Sequence, residues 1–330
     1  WLKDIINEII KILEHFVHTC DAYGVWGSRT ENGRLYTSRN LDYNSNTGIN
    51  MFKLVQIYDI AEPGPNGAPR KQYAAYGFTF GLGALAGQSA AGITTSEMNL
   101  DNSQTTFSGL PFPLRLRYVM ENSHDLASAM TVWNATNNTD SMNYLIGSAA
   151  DGAAYALEAE FNFTAQFPAD SPIEAAATYD CGYPPNLDPT CHKWTWNQTE
   201  GRVPIGFPLP EAVWRTNHGL SPVIMKTQEP LFNNTVFRYR LLHDLFHGYG
   251  AAGVPIADAD AVGIVATLGI KGEDYFACTG QKLNGDNVMS IAYVPGEKRV
   301  FIAWEDGHGD QWRPASCATY YHLNLTQWWS

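Results

Sequence analysis

Along the first 19 positions apolar residues return every three to four places. Leu2, Ile5, Ile6, Ile9, Ile10, Ile12, Leu13, Phe16 and Val17 form one stripe, and Lys3, Asp4, Glu8, Lys11 and Glu14 stand opposite. This spacing predicts an amphipathic helix over 1–19 whose apolar face needs a partner surface. Its polar face has no excess of Lys and Arg, so packing against the protein is expected rather than adsorption to a membrane. From Cys20 the period changes to two. Short β-prone runs over 20–28 and 34–38 flank Glu31-Asn32-Gly33, which predicts a hairpin. Phe52 to Tyr58 is a further strand, and Glu62 to Arg70, with three prolines and two glycines, is a loop. A strand pair is expected at about 71–80 and 91–96, around a glycine-rich turn.

Helical spacing resumes over 112–133, with Ser123-His124-Asp125 capping a second start at Leu126. Strands are expected over 143–148 and 153–159. The stretch from Phe167 to Pro210, rich in Pro, Trp and Asn, reads as a surface excursion. After Val213 to His218 come a helix over 236–248, a short acidic helix near Asp258, and two β-prone runs over 288–294 and 300–304. No internal repeat or linker divides the chain. Gly81-Leu82-Gly83 and Gly87 resemble a nucleotide fingerprint only superficially, because the third glycine is out of place and no amphipathic helix follows. Close strand packing is the expected reason for these glycines.

The 330 residues are 45% hydrophobic and 13% aromatic, enough for a large core. A net charge of −12 with no basic stripe argues against nucleic acid and anionic membranes as partners. No apolar run reaches the roughly 18 residues of a membrane span, so a soluble protein without a transmembrane segment is expected, any leader having been removed. Sequons begin at Asn134, Asn137, Asn162, Asn197, Asn233 and Asn324, which points to glycosylation in a secretory pathway. The five cysteines suit an oxidising compartment with one left over. Pairing nearest neighbours would join Cys181 to Cys191 and Cys278 to Cys317 and leave Cys20 as the candidate reactive thiol; other pairings stay open. None of these spacings is a zinc knuckle.

Antiparallel pairing of the first hairpin brings Arg39 and Asp42 back beside Cys20. A guanidinium there favours the thiolate, the nucleophilic form. Taken alone, these residues favour an inert buried cysteine. Three other groups carry possible chemistry. His243 and His247 stand at i, i+4 on a helix and can face a zinc ion, but Asp244 replaces the usual longer Glu and no third ligand is evident. Asp306, His308, Asp310 and His322 read better as a solvated acidic turn. Asn217, in Thr216-Asn217-His218, offers an amide donor of the kind that stabilises an oxyanion.

Taken together, Cys20, Arg39-Asn40-Leu41-Asp42, the Gly92-centred turn and Thr216-Asn217-His218 resemble the N-terminal-nucleophile hydrolases of the penicillin acyltransferase branch. That branch is related to acid ceramidase, N-acylethanolamine acid amidase and the bile-salt (choloylglycine) hydrolases. The likeness runs from Cys20 to about residue 305 and includes the helix with Arg238 and Arg240. It implies an α+β fold, a four-layer αββα sandwich, and self-cleavage between Thr19 and Cys20. Residues 1–19 would then remain as a short partner chain beside a catalytic domain over 20–330.

Transferred residue by residue, Cys20 is nucleophile and, through its freed α-amino group, base; Arg39 and Asp42 orient and polarise it, and Asn217 donates to the oxyanion. The expected reaction is amide hydrolysis or acyl transfer through a Cys20 thioester, without cofactor or metal, on a small-molecule substrate, a non-peptide or small-peptide amide, with a fatty-acyl half as one option. A secreted or lysosomal setting fits. Relatives carry Asn-Glu before the central glycine, where this chain has Gln88-Ser89-Ala90-Ala91-Gly92, so that substrate contact is not transferred. The excursion over 167–210 has no assigned counterpart. The alternatives are a metal-dependent hydrolase using His243 and His247, or a non-catalytic secreted glycoprotein on the same fold.

Overall fold

The computed structural model describes residues 19–43, 47–60, 71–79, 83–100, 102, 104–180, 202–229, 231, 233–269, 278 and 286–329. The expected helix over 1–19, all but Thr19, lies outside them. So do the loop over 62–70, Gly81 and Leu82, Asn197, the pair Cys181 and Cys191, and the side chain of Asn233.

The first hairpin forms as its pattern predicts. Strands β1 (Cys20–Gly27) and β2 (Gly33–Asp42) pair antiparallel, with Cys20 opposite Leu41 and Asp21 opposite Asn40. The turn works because Asn32 and Gly33 both adopt left-handed backbone, with φ of 59° and 69°. Strands β3 (Lys53–Ile60), β4 (Lys71–Phe78), β5 (Ala86–Ser89) and β6 (Ile93–Asn99) follow. Strand β5 was not evident in the sequence, since its Ala-Gly-Gln-Ser composition reads as turn. It forms because β4 and β6 offer free edges on either side. Its Gly87 also leaves room for the Met120 side chain, which a Cβ there would meet at 2.5 Å.

Helix α1 (Phe112–Asn122) stops before Ser123, and α2 (Leu126–Asn134) begins with a capping box in which Asp125 accepts from the Ser128 backbone N–H at 2.7 Å. Strands β7 (Met142–Ser148), β8 (Ala153–Glu160) and β9 (Phe163–Phe167) complete one seven-stranded sheet in the order β3-β4-β5-β6-β7-β8-β9. The described parts of the excursion contain β10 (Thr178–Asp180) and β11 (Arg202–Pro204), which pair with each other. Strand β12 (Ala212–Arg215) joins the other sheet. Helices α3 (Asn233–Ala252) and α4 (Asp258–Gly269) come next, then β13 (Asn287–Val294), β14 (Arg299–Trp304) and β15 (Tyr321–Asn324). The second sheet runs β12-β1-β2-β13-β14-β15.

Three apolar layers hold the elements together. Leu116, Val119, Ala129 and Trp133 of α1 and α2 pack on Tyr73, Ile93 and Ile146 of the seven-stranded sheet. Tyr239, Leu242, Phe246, Ile264 and Leu268 of α3 and α4 pack on Tyr23, Val25 and Trp214 of the six-stranded sheet. Between the sheets lie Tyr76, Phe78, Met289, Ile291 and Ile302. The result is the four-layer αββα sandwich. Gly24 of β1 permits the closest approach, since a Cβ there would stand 2.8 Å from that of Ala154 on β8. Polar groups also cross the gap: Thr37 Oγ1 meets Thr94 Oγ1 at 2.9 Å, and two buried ion pairs, Arg39–Glu97 at 3.0 Å and Arg215–Glu158 at 2.8 Å, tie sheet to sheet.

Candidate active site

Cys20 begins the strand between β12 and β2, and its side chain faces the inter-sheet space with 2% of its surface exposed. Being central, β1 takes its position from both neighbours, and they deliver the other candidate residues. Strand β2 carries Arg39 and Asp42, and the turn after β12 carries Asn217. All four residues expected from the sequence therefore meet at one end of the sandwich.

The hydrogen bonds define the geometry. The backbone N–H of Cys20 donates to Asn217 Oδ1 at 2.7 Å. Asn217 Nδ2 uses one hydrogen on the Asn99 carbonyl at 2.8 Å, and the Asn217 backbone N–H is held by Thr235 Oγ1 at 2.8 Å. Arg238 reaches in from α3. Its Nη2 donates to Asn217 Oδ1 at 2.7 Å, and its Nη1 donates to the Cys20 carbonyl and pairs with Asp21 Oδ2 at 3.3 Å. On the other side, Asp42 accepts from Thr19 Oγ1 at 2.9 Å and from Asn287 Nδ2 at 2.8 Å. Sequence reasoning passed over Glu97, Asp21, Asn287 and the role of Arg238. Only one signal marked them, an isolated charge or amide within an otherwise apolar strand or helix face, and that signal gives no partner.

Electrostatically the site differs from the simple expectation of a guanidinium-activated thiol. Burial raises the Cys20 pKa, and although Arg39 opposes this by charge and hydrogen bonding, Glu97 and Asp42 side with burial. The resting group in this intact chain is the neutral thiol. Burial alone would lower the Arg39 pKa, but the neighbouring Cys20, Glu97 and Asp42 overcome it and the group is raised. Glu97 itself is raised by burial against the pull of Arg39. Asp21 is pushed up to about 6 by burial, partly offset by Arg238. His218 is pressed down to about 3 by burial and the nearby Arg215 and Arg238, so it stays neutral while Nδ1 lies 2.9 Å from Thr235 Oγ1.

Cys20 lines a cavity of about 360 Å³. Leu41, Ile49, Phe78, Leu85, Phe112 and Met142 form its apolar wall, and Asp42, Glu97 and Asn99 add polar groups. A linear apolar group can lie in this cavity with a polar junction at Cys20.

The other candidate groups do not assemble. His243 and His247 stack on α3 with ring centroids 5.7 Å apart, and His243 Nδ1 contacts Asp244 at 2.8 Å. His322 instead stacks on Phe301. Among the described residues no three His, Cys, Asp or Glu side chains are grouped to hold a metal ion. Cys278 and Cys317 form a disulfide, and Cys20 is the free thiol among the described cysteines.

Solved structures resemble the chain along most of its length. A mutant of conjugated bile acid hydrolase from Clostridium perfringens aligns with 93% of this chain and 93% of its own at 10% identity, with a TM-score of 0.54. Penicillin V acylase from Agrobacterium tumefaciens aligns with 93% of this chain and 87% of its own at 13% identity, with a TM-score of 0.50. Neither a family model nor a curated sequence matches the chain. The fold is that of the N-terminal-nucleophile hydrolases.

Proposed function

We propose that this chain is a self-processing cysteine amidohydrolase that acts on amides with an apolar acyl half. The observation that carries the reading is the convergence of Arg39, Asp42, Asn217 and Arg238 on Cys20 in the lining of a largely apolar cavity. In the intact chain the Cys20 nitrogen is a peptide N–H, and the thiol is neutral. Cutting the Thr19–Cys20 bond turns that nitrogen into an α-amine with a pKa near 7.7–8.0, able to take the thiol proton.

The mature site then works as follows. The acyl chain enters the pocket, and the Cys20 thiolate attacks the amide carbon. The remaining Nδ2 hydrogen of Asn217 bonds the oxyanion, and such a donor is worth roughly 3 kcal/mol in the transition state. Arg238 keeps Asn217 and the Cys20 carbonyl in register. The amine leaves with the proton, and water resolves the thioester. The stacked, two-membered His243–His247 set gives the metal-dependent alternative little support.

Residues 1–19 are assigned as the short partner chain. The Cys278–Cys317 disulfide, together with sequons whose asparagines at 134, 137, 162 and 324 are exposed, supports a secretory route. Denaturing mass analysis tests the central claim: a fragment ending at Thr19 is expected, and Cys20→Ala should leave one chain. A wild-type chain that never divides, or divided protein that turns over no long-chain N-acyl amide and takes no thiol-directed acyl probe, refutes the reading.

A further inference from the structure

We infer that Thr19 is a positioning residue for self-cleavage, its hydroxyl and its carbonyl both clamped on Asp42. The inference rests on the self-processing reading and concerns the residue on the departing side of the bond. Thr19 is 3% exposed although it borders the segment to be released. Its Oγ1–H donates to Asp42 Oδ2 at 2.9 Å, and its carbonyl oxygen accepts the Asp42 backbone N–H at 3.0 Å. Asp42 is in turn fixed by Asn287 Nδ2 on its other oxygen. Across the bond, the Cys20 N–H is held by Asn217 Oδ1 and the Cys20 carbonyl by Arg238. Both ends of one peptide unit are thus restrained by different elements.

These contacts match the needs of an internal attack. The Cys20 sulfur reaches the Thr19 carbonyl carbon by closing a five-membered ring through its own Cβ, Cα and N. As the S–C bond forms, the carbonyl π pair moves onto oxygen, where the Asp42 N–H already points. A donor in place before charge develops avoids reorganisation cost. The C–N bond then breaks, nitrogen takes the proton lost by sulfur, and a Thr19 thioester and a free Cys20 amine result. Water adds to the thioester carbon, the C–S bond breaks, and sulfur regains a proton as Thr19 becomes a carboxylic acid.

Without the hydroxyl, the backbone N–H alone would have to keep the Thr19 carbonyl from turning away from its donor. The hydroxyl adds a second point of attachment, on a charged acceptor, where a hydrogen bond is stronger than between neutral groups. After cleavage that hydroxyl belongs to the other fragment.

The test is a pulse-labelled full chain followed over time by denaturing electrophoresis. Thr19→Val keeps the shape and loses the donor, and should cleave at least about tenfold more slowly than wild type. Thr19→Ser restores the donor and should return to within about threefold of wild type. The same substitutions in a Cys20→Ala background, melted as intact chains, separate slowed chemistry from misfolding, and Thr19→Ala serves if the valine variant does not fold. A valine variant that keeps pace with wild type overturns the inference and leaves the amidohydrolase reading standing. So does a serine variant as slow as valine, which would assign the effect to the methyl group. A wild-type chain that stays whole overturns both.

Discussion

Replacing Arg238 with methionine should destabilise the protein by an amount that grows with pH. Arg238 is fully buried, as is Asp21, and their charges approach to 3.3 Å. At an effective dielectric of about 20 that pair is worth about 5 kcal/mol of attraction, and breaking such a buried pair costs roughly 3–5 kcal/mol. The cost depends on whether Asp21 is charged. In the wild type, burial raises its pKa to about 6 despite the pull of Arg238. The unfolded value is about 3.9, so the stability contributed by the neutral carboxyl is present below that value and lost as pH rises through about 6.

Above about pH 6 the wild-type Asp21 is ionised in both folded and unfolded chains, and this group adds no further slope. In Arg238→Met the largest influence lowering its pKa is gone, and the folded chain retains the proton. Its stability then falls relative to wild type by about 1.36 kcal/mol per pH unit, or roughly 2.7 kcal/mol between pH 6 and pH 8. Urea unfolding of the Cys20→Ala chain with and without Arg238→Met, at both pH values, measures the difference. Adding Asp21→Asn to each should remove the pH dependence. A penalty equal at the two pH values, or one that survives Asp21→Asn, would refute the assignment of the effect to this pair.

Glu97→Gln removes a charge that opposes the thiolate, so Cys20 should titrate at lower pH than in wild type; an unmoved pH profile of alkylation would count against it. Cys278→Ser with Cys317→Ser opens a link between residues 39 apart and should lower stability by about 4 kcal/mol in chemical denaturation. Leu85→Phe narrows the cavity beside Cys20, and kcat/KM for long acyl chains should fall about tenfold relative to short ones. Protein made in a secretory host should lose mass on enzymatic deglycosylation, with exposed Asn134, Asn137, Asn162 and Asn324 as expected sites, each removable by Asn→Gln.

How far the site was legible follows from the range of its contacts. Cys20, Arg39 and Asp42 lie in one hairpin whose turn residues and alternation are local signals, and the predicted return of Arg39 and Asp42 toward Cys20 matches the observed pairing of Cys20 with Leu41. The paired helices over 112–134 were equally local, since Asp125 caps a helix within three residues of itself. Strand β5 was illegible because its residues have no strong preference, and only the edges of β4 and β6 recruit them.

By itself, then, the sequence determined the short-range framework: a hairpin headed by a thiol, a chain of alternating strands and amphipathic helices, an acidic surface and an odd cysteine count. The tertiary structure decided which distant groups meet that thiol. Glu97 arrives from the opposite sheet and Arg238 from a helix more than two hundred residues on, through contacts that no local periodicity encodes. It also decided the state of the sulfur. A guanidinium nearby in sequence suggested a thiolate, but desolvation is a property of the assembled layers, and here it outweighs the single favourable charge.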